Sequence, residues 1–302
     1  MLNAKILRKL ESLRDLPTMP IVISEVLELI DNPKISAYQL AQIIEKDQAL
    51  TARVLRIANS PYYGFSRKIS TIDLAIVIMG FNTLKEIVLS LVIRRFFSKV
   101  TNKIFDIKSF WHYGLFCAAS SRLLAKKLGY KIVGEAFVAG LMHDIGILII
   151  AEYFSEEFKK IKYLVENDGI DIIDAEFKIL GNTHTQIGSW IAEKWNLPEQ
   201  IINAINNHHT HYKRFLAQEE LSFNFDRIDE QLTAIVSISE WLSAFLRFKD
   251  WIIEKKQPEF YLSEELFPQL SEHDFLDPES SFFALKQELI DEYGKASVFS
   301  EL

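Results

Sequence analysis

Turn-forming residues are scarce in this chain, with eleven glycines and eight prolines among 302 residues. All-β folds need such residues at roughly every 8–12 positions, so an all-β architecture is excluded. Collagen-like and low-complexity chains are excluded by the same scarcity. A hydrophobic content of 49% leaves no room for a disordered chain. Only one cysteine is present, Cys117, which removes a disulfide framework and any thiolate zinc site. Long uncharged apolar runs are lacking too. The longest, residues 136–150, carries His143 and Asp144 in its middle and is too short and too polar to span a bilayer. Residues 1–13 hold three basic residues but neither an apolar run nor a cleavage site. The expectation is a cytoplasmic protein with no membrane partner.

What is present is charge of uneven distribution. The formal net charge is −7, which argues against nucleic acid as a partner. Residues 1–110 contain 16 basic and 10 acidic residues, a net of +6, and the remainder carries −13. The basic residues of the first part, such as Arg53, Arg56, Arg94 and Arg95, read as a solvated surface.

Helical periodicity and helix-start signals recur along the chain. Ser36 to Gln39 and Thr183 to Gln186 both fit a capping box, in which a hydroxyl and a glutamine side chain satisfy backbone N–H groups reciprocally. Ser70 to Asp73 is another start, with Gly80 as its stop. Leu197-Pro198 opens a further helix, since proline suits the first helical position. No alternating strand and no internal repeat is found. The expected class is all-α, divided into an N-terminal helical lobe (1–105), a helical bundle (106–248) and a helical C-terminal extension (249–302). Residues 249–281 read as an irregular connection, followed by a last helix over about 281–293.

Six of the seven histidines fall between His112 and His211. His112 shares a helical stripe with Phe116, Ala119 and Leu123, which alone describes a core histidine. Asp144 is the only charged residue between Ala136 and Ile150, and a buried lone carboxylate requires compensation from a cation, a histidine or a metal. His184 falls in the first turn of its helix. His208 and His209 continue the apolar face of Ile201, Ile202 and Ile205, so they point inward. His211 is off that line and His273 is isolated. Glu240 is the only charged residue between Leu232 and Leu246, and it too needs a partner. Nitrogen and oxygen donors without thiolates suit Fe, Mn or Zn. This many donors could hold one or two ions, with Asp144 bridging.

The order His112, then Gly140-Leu141-Met142-His143-Asp144-Ile145-Gly146, then His184, His208-His209 and an acidic residue resembles the HD superfamily of metal-dependent phosphohydrolases. Leu16-Pro17-Thr18-Met19-Pro20, Asp47-Gln48-Ala49-Leu50-Thr51, Ile57 to Gly64 and Glu135 to Leu141 are similar to the signature of its HDOD family, the HD-related output domains. The resemblance covers about residues 10–245. It implies an HD-like bundle for 106–248 and a bacterial signalling module. It also implies metal ligation by His112, His143, Asp144, His184, His208, His209 and Glu240, the last standing where the superfamily has Asp.

Other positions depart from the catalytic relatives. Ile147 stands where the family usually has Lys, a cation that would help stabilise a transferring phosphoryl group. Thr210-His211-Tyr212-Lys213 replaces the Glu and Gly-Tyr-Pro of the related phosphodiesterases, and Lys108 replaces a Glu found in some multinuclear relatives. The expectation is a regulatory protein that contacts a signalling protein in trans and retains a divalent metal site, with Fe or Mn favoured over Zn. The alternative is a metal-dependent phosphohydrolase acting on a phosphate-containing small molecule.

Overall fold

The computed structural model describes residues 2–12, 25, 37–60, 63, 68–97, 104–216, 228–245 and 278–297. Among them there are fourteen helices and no strand, which agrees with the all-α expectation. The Ser36 cap, the motif at 16–20, part of the motif at 57–64 and the connection at 249–277 lie outside the described residues.

The N-terminal helices are α1 (Ala4–Ser12), α2 (Ala37–Glu45), α3 (Gln48–Ala58), α4 (Ile72–Met79) and α5 (Phe81–Phe97). Helix α3 starts where Asp47 accepts the N–H groups of Ala49 and Leu50. Asn59 closes the loop after it: its side chain accepts the Ile69 N–H at 2.8 Å and donates to the Ile69 carbonyl at 2.7 Å. Helix α4 begins at Thr71, which caps Leu74, and ends at Gly80 with φ +87, the two boundaries read from the sequence. That left-handed φ suits glycine because no Cβ opposes it. Helix α1 is anchored elsewhere. The Asn3 N–H donates to Asn182, and its side chain donates to the Leu180 carbonyl, both at 2.9 Å.

The bundle comprises α6 (Ile107–Lys127), α7 (Val133–Met142), α8 (Ile145–Tyr153), α9 (Ser155–Asp168), α10 (Ile172–Leu180), α11 (His184–Lys194), α12 (Glu199–Leu216) and α13 (Ile228–Phe245). Helix α6 packs most extensively on α7 and also on α13, α12 pairs with α13, and α11 lies against both α8 and α12. The run Val133–Tyr153 is long and apolar enough to cross a membrane, but 89% of its most apolar 18-residue stretch is buried within the fold. It is broken into two helices at His143 and Asp144. Helix α12 does not end at His208-His209 but continues to Leu216, so both histidines sit on regular backbone. The last helix, α14 (Pro278–Ser297), packs on α6 and is longer at both ends than its periodicity predicts.

Two polar networks tie these layers. Glu135 is fully buried on α7 and accepts from the Tyr130 hydroxyl (2.8 Å) and the Gln200 amide (2.6 Å), joining α7 to α12. The Arg122 guanidinium on α6 pairs with Glu86 of α5 and Glu292 of α14, so one cation links the lobe, the bundle and the C-terminal helix.

Asp106 caps α6 by accepting the N–H groups of Lys108 and Ser109. Its carboxyl is held below the ordinary aspartate value, first by the Ser109 hydroxyl and then by these backbone donors. Asp106→Ala is expected to cost about 1 kcal/mol, the usual worth of an N-cap. The sign of the pH dependence follows from the depressed folded pKa. The contribution is present above the ordinary aspartate pKa (~3.9) and is lost as pH falls through the lower folded value. Thermal melts of both proteins across acidic pH should therefore converge.

Candidate metal centre

The site forms where the break between α7 and α8 meets the start of α11 and the middle of α12. Asp144 occupies the cap position of α8, yet its carboxylate makes no capping bond. It is only 2% exposed and faces the imidazoles instead. Asp144 Oδ1 lies 3.0 Å from His184 Nε2 and 3.3 Å from His208 Nε2, and Oδ2 lies 3.4 Å from His143 Nε2. His209 Nε2 is 3.2 Å from His184 Nε2. One donor atom from each of Asp144, His184, His208 and His209 lies within 4.8 Å of the others. A first-row ion with bonds of about 2.0–2.2 Å can bring such donors together with small adjustments.

The imidazoles are oriented from behind. His143 Nδ1–H donates to the Gly140 carbonyl and His208 Nδ1–H to the Ile205 carbonyl, both at 2.8 Å. The Glu176 carboxylate accepts both the backbone N–H of His184, at 2.7 Å, and its Nδ1–H, at 2.8 Å. A carbonyl or carboxylate can only accept, so Nδ1 carries the proton and Nε2 is the atom turned towards Asp144. This is the arrangement in which metal-bound histidines are held by their outer partners. The Thr183 capping box read from the sequence starts α11, with the Gln186 side chain accepting the Thr183 N–H at 3.2 Å. That cap places His184 in the first turn.

Burial drives the Asp144 carboxyl up, but His143 and His184 outweigh it and hold it well below the usual range. Burial likewise drives His184 down, and Glu176 and Asp144 lift it to about 10. His208 is lowered, chiefly by burial. Both carboxylate oxygens of Asp144 and the Nε2 of His208 are buried without a hydrogen-bond partner. Buried polar atoms are rarely left so. A cation between them satisfies all three, so the donor set fits a divalent metal.

The remaining expected ligands are placed as follows. His143 is at the edge of the cluster, its Nε2 2.8 Å from the Tyr113 hydroxyl. Glu240 lies behind His209, with Oε2 3.6 Å from His209 Nδ1 and 4.0 Å from His208 Nε2. His112 is not among the four converging residues, and its Nδ1 is 2.8 Å from the Tyr293 hydroxyl. Two residues escaped the sequence reading, Glu176 and Tyr113. Glu176 was detectable: it falls four residues from Ile172 and from Leu180, a carboxylate on the buried stripe of α10.

Fold and site together define an all-helical protein with a buried histidine–carboxylate cluster suited to a divalent cation. The sequence matches the HDOD domain over residues 16–211, more than half of the chain, and the protein belongs to the HDOD family. Its fold is similar to that of an HDOD domain protein of unknown function from Geobacter sulfurreducens, with 23% identity and a TM-score of 0.77, covering 95% of this chain and 94% of that one. It is also similar to a candidate phosphohydrolase from Shewanella amazonensis SB2B, with 25% identity and a TM-score of 0.69, covering 99% and 97%. An uncharacterised protein of Treponema pallidum (strain Nichols) is 23% identical over 239 residues, 78% of this chain. The chain spans 43% of that relative's length.

Proposed function

We propose that this HDOD protein is a cytoplasmic regulatory protein that acts on a signalling partner in trans, and that its buried cluster holds one divalent cation. Asp144, His184, His208 and His209 hold the ion, Fe or Mn in preference to Zn. His143 and Glu240 flank it. The observation that carries the metal reading is the set of buried atoms that face one another without a well-formed hydrogen bond, Asp144 Oδ1 and Oδ2 and His208 Nε2. A bound divalent ion supplies Lewis acidity and lowers the pKa of a bound water. Glu176 orients His184, and the carbonyls of Gly140 and Ile205 orient His143 and His208.

Regulation is favoured over hydrolysis by the closure of the site. His143, Asp144, His184 and His208 are all buried, and Ile147 places a buried apolar side chain where the resemblance would place a lysine. The second reading, a metal-dependent phosphohydrolase, is favoured by His209, whose side chain is 13% exposed and gives the cluster an edge towards solvent.

Anaerobically purified protein is expected to carry about one equivalent of metal, released by chelators. Saturating metal, at about 100 times Kd, should add about 2.7 kcal/mol of stability. Asp144→Asn should lose both the metal and the chelator-sensitive part of the melting temperature. Metal-free protein with a chelator-insensitive melt would defeat the metal reading. Turnover of a phosphodiester or nucleotide that vanishes in Asp144→Asn would replace the regulatory reading by the hydrolytic one.

A further inference from the structure

Helix α14 lies outside the residues that match the HDOD domain, yet it is docked on the helix that borders the cluster. Leu285, Leu289 and Ala296 are buried, and the Tyr293 ring packs on Phe116 with centroids 5.8 Å apart. Its polar contacts follow α6 towards the site. Glu288 meets Lys127 at 2.9 Å, Glu292 meets Arg122, and the Tyr293 hydroxyl lies 2.8 Å from His112 Nδ1.

The last of these contacts repeats a pattern. His143, His184 and His208 each have Nδ1 held by an oxygen at 2.8 Å. His112 has the same contact at the same distance, but its oxygen is a phenol brought by a helix 181 positions away. The next residue on α6 is Tyr113, whose hydroxyl is 2.8 Å from His143 Nε2, and that nitrogen is 3.4 Å from Asp144. The path from α14 to the carboxylate thus runs through side-chain contacts on either side of one peptide link, that between His112 and Tyr113 on α6.

We propose that α14 is a working part of the metal centre and that Tyr293 is its positioning residue. The Tyr293 hydroxyl hydrogen-bonds His112 Nδ1 and fixes the second turn of α6, and so places the Tyr113 phenol that holds His143 beside Asp144. This inference rests on the reading that the cluster holds a cation. Its consequence is reciprocal coupling: a docked α14 tightens the metal, and the metal tightens the docking of α14. A partner that lifted the helix would thereby loosen the ion.

Tyr293→Phe removes one oxygen and keeps the ring on Phe116. Titrated with Mn2+ and, anaerobically, Fe2+, it should bind several-fold more weakly than the parent, the size of effect expected when a residue acts on a site through intervening side chains. The metal-free melting temperature should scarcely change. Glu288→Gln, which removes only the partly exposed pair with Lys127 and leaves α14 docked with Tyr293 on His112, should bind like the parent. In a His112→Ala background Tyr293→Phe should have no additional effect, because the pair acts as a unit. As an independent measurement, Mn2+ should slow amide exchange throughout α14 of the unaltered protein. Parent-like affinity in Tyr293→Phe, or exchange in α14 indifferent to Mn2+, would overturn the proposal. A parent protein that binds neither ion would instead bring down the metal reading beneath it.

Discussion

Arg122→Met is expected to destabilise the protein by about 3 kcal/mol, because it takes this cation away from the buried Glu86 and the partly buried Glu292. Methionine keeps most of the volume of the arginine stem, so the loss is electrostatic rather than a cavity. The two carboxylates differ in their remaining support. Glu86 is buried on α5, only 3% exposed. Glu292 has a second cation, Lys295, at 2.6 Å. Burial lowers the pKa of Arg122, but Glu86 and then Glu292 outweigh it, so the guanidinium is held charged. Chemical denaturation should show the loss in Arg122→Met. Replacing all three, as Arg122→Met with Glu86→Leu and Glu292→Leu, should restore most of it, because an apolar triad carries no desolvation penalty. If the triple variant were as unstable as the single one, the destabilisation would have to come from lost packing, not from the orphaned carboxylates.

The Arg122 triad also marks the limit of what could be read from the chain. Helices and their ends were legible wherever a local signal sets them: Thr71 and Gly80 bound α4, and Thr183 with Gln186 starts α11. Asp144 and Glu240 were legible because each stands alone in a long apolar run, where an ionised group must find a partner. His208 and His209 were legible by their spacing from Ile201, Ile202 and Ile205. Glu176 satisfies the same rule, but Asp171, Asp174 and Lys178 around it give α10 the look of a solvated helix. Tyr113 gave no signal, since a tyrosine among Phe110, Trp111 and Phe116 reads as core. The break that turns residues 133–153 into two helices was hidden by a continuous apolar run. Contacts such as Arg122 with Glu292 or His112 with Tyr293 join positions about 170–181 apart. No periodicity or cap encodes such pairings, because packing and not local backbone preference selects them.

The glycine after His143-Asp144-Ile145 shows how packing bears on the chemistry. Gly146 lies in the first turn of α8, where that helix crosses α11. A Cβ there would stand 2.7 Å from the carbonyl carbon of His184 and 2.9 Å from the backbone nitrogen of Gly188. Both are main-chain atoms that cannot rotate away. Gly146→Ala must therefore push α11 off α8, and α11 carries His184. Overpacking of this kind costs about 1–3 kcal/mol and can exceed it. The greater effect should fall on the site. Ligand constellations work only within about 0.5 Å of their productive geometry, and His184 Nε2 is the atom 3.0 Å from Asp144. Metal affinity is expected to fall by more than about tenfold, as when an outer partner of a ligand is removed. Gly114 provides the comparison. A Cβ added there meets the Leu141 carbonyl at 3.6 Å, an ordinary contact. Gly114→Ala, in the middle of α6, should keep the metal and gain about 0.5–1 kcal/mol from reduced chain entropy. Calorimetric titration with Mn2+ and a denaturant melt of the two variants separate the outcomes. If Gly146→Ala bound the ion as tightly as Gly114→Ala, the close approach of α8 and α11 would be a packing detail, and His184 would owe its position to Glu176 alone.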